Sequence, residues 1–236
     1  MAYFLLNSFV ERLLPIERSS FLFLNNHHTE FWDYFMMLYS GKFLWIPLCV
    51  CVLILTFYKT KWQQALLFIG CFALLFCLCD QISAGVIKPL FCRLRPTHHP
   101  DFMAQVLTVD NYRGGRYGFV SAHAANGFGA VVFLSLVYRY YLFTAVLSLW
   151  ALITCYSRIY LGVHFITDII GGMIVGAICG FLTYQLFKYL RAKFFGLSPT
   201  ESRKPAYSRL HANILMIVIG VTVFTDVVIS VCKMYI

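Results

Sequence analysis

Six runs of about twenty mostly apolar residues limit this chain more than any other feature, because a bilayer core takes about 20 residues of helix to cross. They extend from about Ser40 to Tyr58, Trp62 to Ser83, Phe119 to Tyr138, Tyr141 to Tyr156, Phe165 to Phe187 and Ala212 to Cys232. Hydrocarbon offers no partner to backbone N–H and C=O groups, so only helices or closed barrels can span it. None of the six runs shows the period of two that a barrel strand requires. The expected fold is therefore all-α, a polytopic bundle of about six transmembrane helices. Charge content supports this: 12% of residues are charged, where a soluble domain carries about a quarter.

The chain opens without the basic n-region, apolar core and small-residue cleavage site of a secretory signal, so the N-terminus is expected to be retained. Residues 1–39 read as an N-terminal amphipathic interfacial segment, and 40–236 as the transmembrane domain. Met1 to Leu14 places Phe4, Leu5, Leu6, Phe9, Val10, Leu13 and Leu14 on one helical face. That helix is too short and too polar to cross, which suits a position in the interface. Pro15 to His28 reads as a second surface segment, with Phe21 and Phe23 as interfacial aromatics.

Three polar clusters interrupt the apolar runs: Lys88 to Pro96, Ser121 to His123 and Ser157 to Asp168. With alternating spans, one membrane face receives Lys59, Lys61, Arg139, Lys188, Arg191, Lys193, Arg203, Lys204 and Arg209. The other, outside the clusters and the stretch joining the first two, receives Arg12, Arg18, Lys42 and Lys233. The basic-rich face is expected to be cytoplasmic, which puts all three clusters at extracytoplasmic helix ends. The same distribution accounts for the net charge of +9 without a nucleic-acid partner. Eight of the nine cysteines lie inside apolar runs, where cysteine behaves as a small hydrophobe. Cys92 alone lies near the clusters, and no metal-ligand spacing is present.

The clusters carry complementary chemistry. Lys88 and Arg95, seven apart, share a face if the second helix continues beyond the membrane and ends before Pro96. Together with Arg93 and Arg158 they form a set of cations that repel one another unless an anion joins them, and guanidinium forks match phosphate oxygens. Ser121 and the free first-turn amides, including that of Ala122, can cradle such an anion, with His123 at its rim. His164 and Asp168, four apart, stack on one helical face. The carboxylate can accept the proton of one ring nitrogen and leave the other bare, as in an activated nucleophile or base. Asp80 and Gln81 read as interhelical polar contacts, and Asp226 as an internally hydrogen-bonded group. Gly172, Gly176 and Gly180 form a small-residue stripe that lets helices pack closely, within the bundle or in a homodimer.

The pattern Lys88-x6-Arg95-Pro96, Ser121-x-His123, Ser157-Arg158-x5-His164-x3-Asp168 resembles the three-part signature of the type 2 phosphatidic acid phosphatase superfamily, membrane lipid phosphatases related to vanadium haloperoxidases and glucose-6-phosphatase. The second motif departs from the family's Pro-Ser-Gly-His, reading Val120-Ser121-Ala122-His123. Serine and histidine are kept, and alanine still supplies its backbone N–H. The resemblance implies a metal-independent, cofactor-free hydrolase working through a phosphohistidine. His164 would be the nucleophile, Asp168 its orienting acid and His123 the general acid and base. Lys88, Arg95, Arg158, Ser121 and the Ala122 amide would hold the phosphate oxygens.

The expected partner is a phosphorylated membrane lipid, with undecaprenyl diphosphate or lipid A favoured by the short format of the chain. Phosphatidylglycerol phosphate and phosphatidic acid are the alternatives. His98, His99, Arg113 and Arg116, with Tyr112 and Tyr117, are candidates to bind a headgroup or a second phosphate. The expected location is a bacterial inner membrane, with the site facing the periplasm or cell exterior. Two readings of another class are an inactive lipid-phosphate-binding protein and a transporter. The second lacks support from any internal repeat.

Overall fold

The computed structural model describes residues 10–235. Most of the apolar face expected for Met1 to Leu14 therefore lies outside the described residues. Helix α1 is Leu14–Asn25 and α2 is Glu30–Ser40, capped by the Thr29 side chain. Next come α3 (Ile46–Phe57), α4 (Trp62–Phe91), α5 (Ala122–Tyr138) and α6 (Tyr141–Tyr160), followed by α7 (Ile166–Phe195) and α8 (Arg209–Lys233). Among the described residues there is no strand beyond one isolated bridge, Leu94 to Tyr117, so the all-α expectation holds.

The number of spans is less simple than six. Helices α4, α6, α7 and α8 are long and apolar enough to cross, while α2 and the Phe43–Phe57 helix form a pair bent by 65°. Helix α5 has 17 residues and reaches only about 25 Å, short of the hydrocarbon thickness. It lies at the centre of the bundle, packed by α4, α6 and α7. Ten of its residues are buried, so protein rather than lipid surrounds most of it.

The tightest packing joins α5 to α7. A Cβ at Gly176 would strike the Ala125 carbonyl, and one at Gly172 would strike that of Ser121. The glycine stripe is thus spent on a contact within the chain. The opposite face of α7 presents Ile170, Ile174 and Ile178, all exposed, as expected of a helix with lipid on its outer side. This close approach fixes the start of α5 against the start of α7, which are the ends carrying the second and third polar clusters.

Two expectations for the periphery change. Phe21, expected at the membrane interface, is fully buried against Phe102 and Phe165, whereas Phe23 is exposed. Helix α1 packs on α6 and α7 and covers the rear of the polar clusters instead of lying free on the surface. Helix α4 also fails to carry Lys88 and Arg95 on one continuous face. It passes through a π-helical stretch, Gln81–Ile87, and stops at Phe91, where Cys92 adopts a left-handed conformation (φ 48°). Arg95 lies beyond that turn in extended backbone.

Candidate active site

All three clusters meet at one end of the bundle. His164 lies between α6 and α7, 1% exposed, with Nδ1 3.4 Å from Asp168 Oδ2; the two meet as expected, but across the helix start and not on one helical face, because α7 begins only at Ile166. Asp168 is in the first turn of α7 and is fully buried. The same Oδ2 accepts the Phe165 backbone N–H at 3.0 Å, so the carboxylate closes the helix start while it faces the imidazole. A Cβ at Gly118 would come within 2.7 Å of Oδ2. Only glycine there leaves room for the pair. With Nδ1 turned to Asp168, Nε2 is the nitrogen left free.

The cations expected around this histidine are its electrostatic neighbours. Burial, then Arg95, Arg158 and Lys88, hold the imidazole of His164 well below its usual value, so it is neutral. His123, exposed at the rim, has Arg158, His164, Lys88 and Arg95 around it. Arg95 is 9% exposed. Its Nε donates to the Tyr117 carbonyl at 3.1 Å, and its Nη1 has no partner among the described residues. Burial first, and Arg158 second, depress its affinity for a proton. Arg158, at the end of α6, donates to Ser40 Oγ and to the Tyr112 hydroxyl, the latter at 3.2 Å. Burial raises the Tyr112 phenol, but the Arg158 charge and hydrogen bond outweigh it and leave the net shift downward.

Ser121 is the N-cap of α5. Its hydroxyl accepts the Ala124 N–H at 3.4 Å, and its own N–H donates to the Asp168 carbonyl at 2.9 Å. The starts of α5 and α7 are therefore tied backbone to backbone. Ala122 and His123 follow as first-turn residues, whose amides make no intrahelical bond. Lys88, half-buried in the last turn of α4, supplies the remaining cation.

Arg93 does not join the clamp as the sequence suggested. It is turned to the rear, fully buried, with Nη1 2.7 Å from Asp168 Oδ1 and 2.6 Å from Thr167 Oγ1, and Nη2 2.5 Å from Glu17 Oε1. Glu17 of α1 also accepts the Thr167 N–H at 2.8 Å. Neither Glu17 nor Thr167 stood out in sequence, although a glutamate among Leu14, Ile16 and Phe21 was a signal that a buried cation was needed. Of the loop residues proposed to bind a headgroup, His99 is buried and 3.1 Å from Glu11, so it is already paired. Arg113 and Arg116 are exposed beside Tyr117 and, with Arg95, act on His98, which burial and these charges depress. Asp80 accepts from Asn126 at 3.0 Å and Asp226 from Ser230 at 3.4 Å, the structural contacts expected of them.

The model of the PAP2 superfamily matches residues 64–192. The chain is 41% identical over 191 residues to a lipid A 4'-phosphatase of Porphyromonas gingivalis, covering 80% of each protein. It is 33% identical to a lipid A 4'-phosphatase of Bacteroides thetaiotaomicron, over 92% of this chain and 99% of that one. An undecaprenyl-diphosphatase of Sulfolobus acidocaldarius is 27% identical, over 64% of this chain and 68% of the relative. Among solved structures, Aquifex aeolicus LpxE superposes with a TM-score of 0.57 at 22% identity, over 72% of this chain and 95% of that one. A PAP2-type phosphatidylglycerolphosphate phosphatase of Bacillus subtilis gives 0.60 at 19%, over 80% and 93%.

Proposed function

Since the chain belongs to the PAP2 superfamily and is a multi-pass membrane lipid phosphatase, we propose that its substrate is the phosphate of a lipid A-type glycolipid, hydrolysed through a phosphohistidine on His164. The supporting observation is a neutral, buried imidazole held between Asp168 and three cations, beside the similarity to two lipid A 4'-phosphatases across most of the chain.

In the proposed reaction, His164 Nε2 attacks phosphorus and the bond from phosphorus to the lipid oxygen breaks. His123, at the rim, donates a proton to that oxygen as it leaves. Lys88, Arg95 and Arg158 take up the charge on the equatorial oxygens together with the Ser121 hydroxyl and the Ala122 amide. Phosphoryl transfer depends chiefly on such positioning and charge stabilisation. In the second step His123 removes a proton from water, which attacks phosphorus. The nitrogen–phosphorus bond breaks, and inorganic phosphate leaves with His164 restored. Asp168 holds the Nδ1 proton throughout and stabilises the positive charge that the ring gains in the phosphorylated state. No step calls for a metal.

The proposed orientation sets the site on the periplasmic side of the inner membrane. The turns between α3 and α4 and between α5 and α6, the C-terminal end of α7 and the start of α8 carry the lysines and arginines expected in the cytoplasm. A decisive assay offers purified protein, in detergent with chelator, lipid A, undecaprenyl diphosphate, phosphatidylglycerol phosphate and phosphatidic acid. Phosphate release is expected to be fastest from lipid A and indifferent to chelator. Faster release from another lipid would replace the substrate, and an absolute need for divalent metal would overturn the mechanism.

A further inference from the structure

Behind the proposed nucleophile lies a buried charge network of which the phosphoryl-transfer steps use Asp168 alone. Arg93 is the largest fully buried side chain among the described residues. Its Nη1 contacts Asp168 Oδ1 and Thr167 Oγ1, and its Nη2 contacts Glu17 Oε1. The guanidinium carbon also lies 4.6 Å from the centre of the Phe165 ring, which packs in turn on Phe21 of α1 and on Phe102. Glu17 accepts the Thr167 N–H at 2.8 Å and its hydroxyl at 2.8 Å and 3.0 Å. One carboxylate from α1 thereby caps the first turn of α7 and shares a cation with Asp168.

From this geometry we infer that Glu17 is a positioning residue for the nucleophile, acting on His164 through Arg93 and Asp168. Two effects are combined. As a cap on the Thr167 amide, Glu17 fixes the helix turn from which Asp168 projects, and a negative group is favoured at that helix end. As a second carboxylate on Arg93, it divides the pull of the guanidinium. Asp168 Oδ1 faces Arg93 while Oδ2 faces His164 and the Phe165 amide. Were Arg93 paired with Asp168 alone, its whole charge would oppose that carboxylate's hold on the His164 ring. Helix α1, which reads in sequence as an interfacial segment, thus becomes part of the catalytic framework. The inference rests on the reading of His164 as nucleophile and Asp168 as its orienting acid.

Its test is Glu17→Gln, which keeps size and shape and removes the charge, assayed in the full chain with a lipid phosphate and normalised to the fraction of enzyme that forms a trapped phosphoenzyme. The value of kcat per competent enzyme is expected to fall on the order of 10²-fold, as for a small displacement of a reacting group, with KM unchanged. The acid limb of the pH profile is expected to move to lower pH, because Asp168 then stabilises the imidazolium less. The groups that face His164 from the other elements, Lys88, Arg95, Arg158 and His123, stay in place. If Glu17→Gln does not fold, Glu17→Asp carries the same test. It keeps the charge but shortens the reach, and the limb must move in the same direction by less. Unchanged kcat per competent enzyme together with an unmoved acid limb would reduce Glu17 to a structural contact and overturn the inference. A phosphoenzyme that still forms in His164→Ala would instead remove the nucleophile assignment itself, whatever Glu17 does.

Discussion

The two sides of His164 are built on opposite electrostatic plans. To the rear, among Arg93, Glu17, Thr167 and Asp168, one buried cation meets two carboxylates at 2.5 Å and 2.7 Å. To the front, Lys88, Arg95 and Arg158 face one another, and among the described residues none of them makes an ion pair. Among those residues, buried guanidinium nitrogens without a partner occur on both sides, Arg93 Nε at the rear and Arg95 Nη1 and Arg158 Nε at the front, so it is the ion pairing that separates them. Buried charge is tolerated when paired and costly when not. The rear network therefore contributes to the fold. On the proposed function, the front is held at a cost that an incoming phosphate would offset, since it would supply the negative charge that three cations and a neutral histidine lack. On that reading, stability and affinity are divided between the two sides of one ring.

The largest effect is expected from breaking the rear. Arg93→Met removes the cation between Glu17 and Asp168 and leaves two buried carboxylates facing each other. Loss of one partner of a buried pair costs about 3–5 kcal/mol, so thermal unfolding in detergent should move sharply downward and activity should disappear with it. An Arg93→Met protein of normal stability would show that the rear network is not a source of stability.

At the front the signs should separate. Arg95→Ala removes a cation that is repelled by Arg158 and whose side chain, among the described residues, donates to the Tyr117 carbonyl alone. Unfolding temperature is expected to hold or rise slightly, while kcat/KM for the lipid phosphate falls by about 10²–10³-fold, the usual effect of losing one donor to a charged transition state. A variant that lost stability and activity in proportion would erase the distinction between the two sides.

How far each side could be read in sequence follows from the range of its contacts. His164 and Asp168 are four apart, close enough in sequence to be found as a pair, but His164 precedes the start of α7 and meets the carboxylate where it caps that helix. Each of the six apolar runs contains a helix, although the first is broken before Phe43 and α5 is enclosed mostly by protein. Lys88 and Arg95 were legible as a cluster but not as a geometry, because the left-handed turn at Cys92 breaks the helix between them. Phe21 was misplaced because an aromatic beside an apolar run looks the same whether lipid or protein covers it. The rear network was hidden altogether, since Glu17 reaches Arg93 across 76 positions and Thr167 across 150. Arg93 sits inside the first motif and differs from its neighbours only in the direction it faces, which the Leu94–Tyr117 bridge and the turn before it decide.

The smallest predicted effect tests the point where the two sides meet. His164 is neutral in the folded protein, its proton affinity depressed below the ordinary value by burial and then by Arg95, Arg158 and Lys88. In the unfolded chain the same imidazole binds a proton near pH 6.5. The unfolded state therefore takes up more protons below about pH 6.5, and stability falls as pH drops through that value, by at most about 1.4 kcal/mol per pH unit for a single group. Carboxylates add their own slope at lower pH, so the window lies between about pH 6.5 and 5. Thermal unfolding of wild type and His164→Asn, compared across that window, isolates the histidine. The variant should show the flatter dependence. Inorganic phosphate should diminish the wild-type slope, because an anion among the three cations offsets the charge that made a protonated His164 unfavourable. Identical slopes in the two proteins would mean that the front cations do not act on the ring, and the electrostatic division across His164 would have to be abandoned.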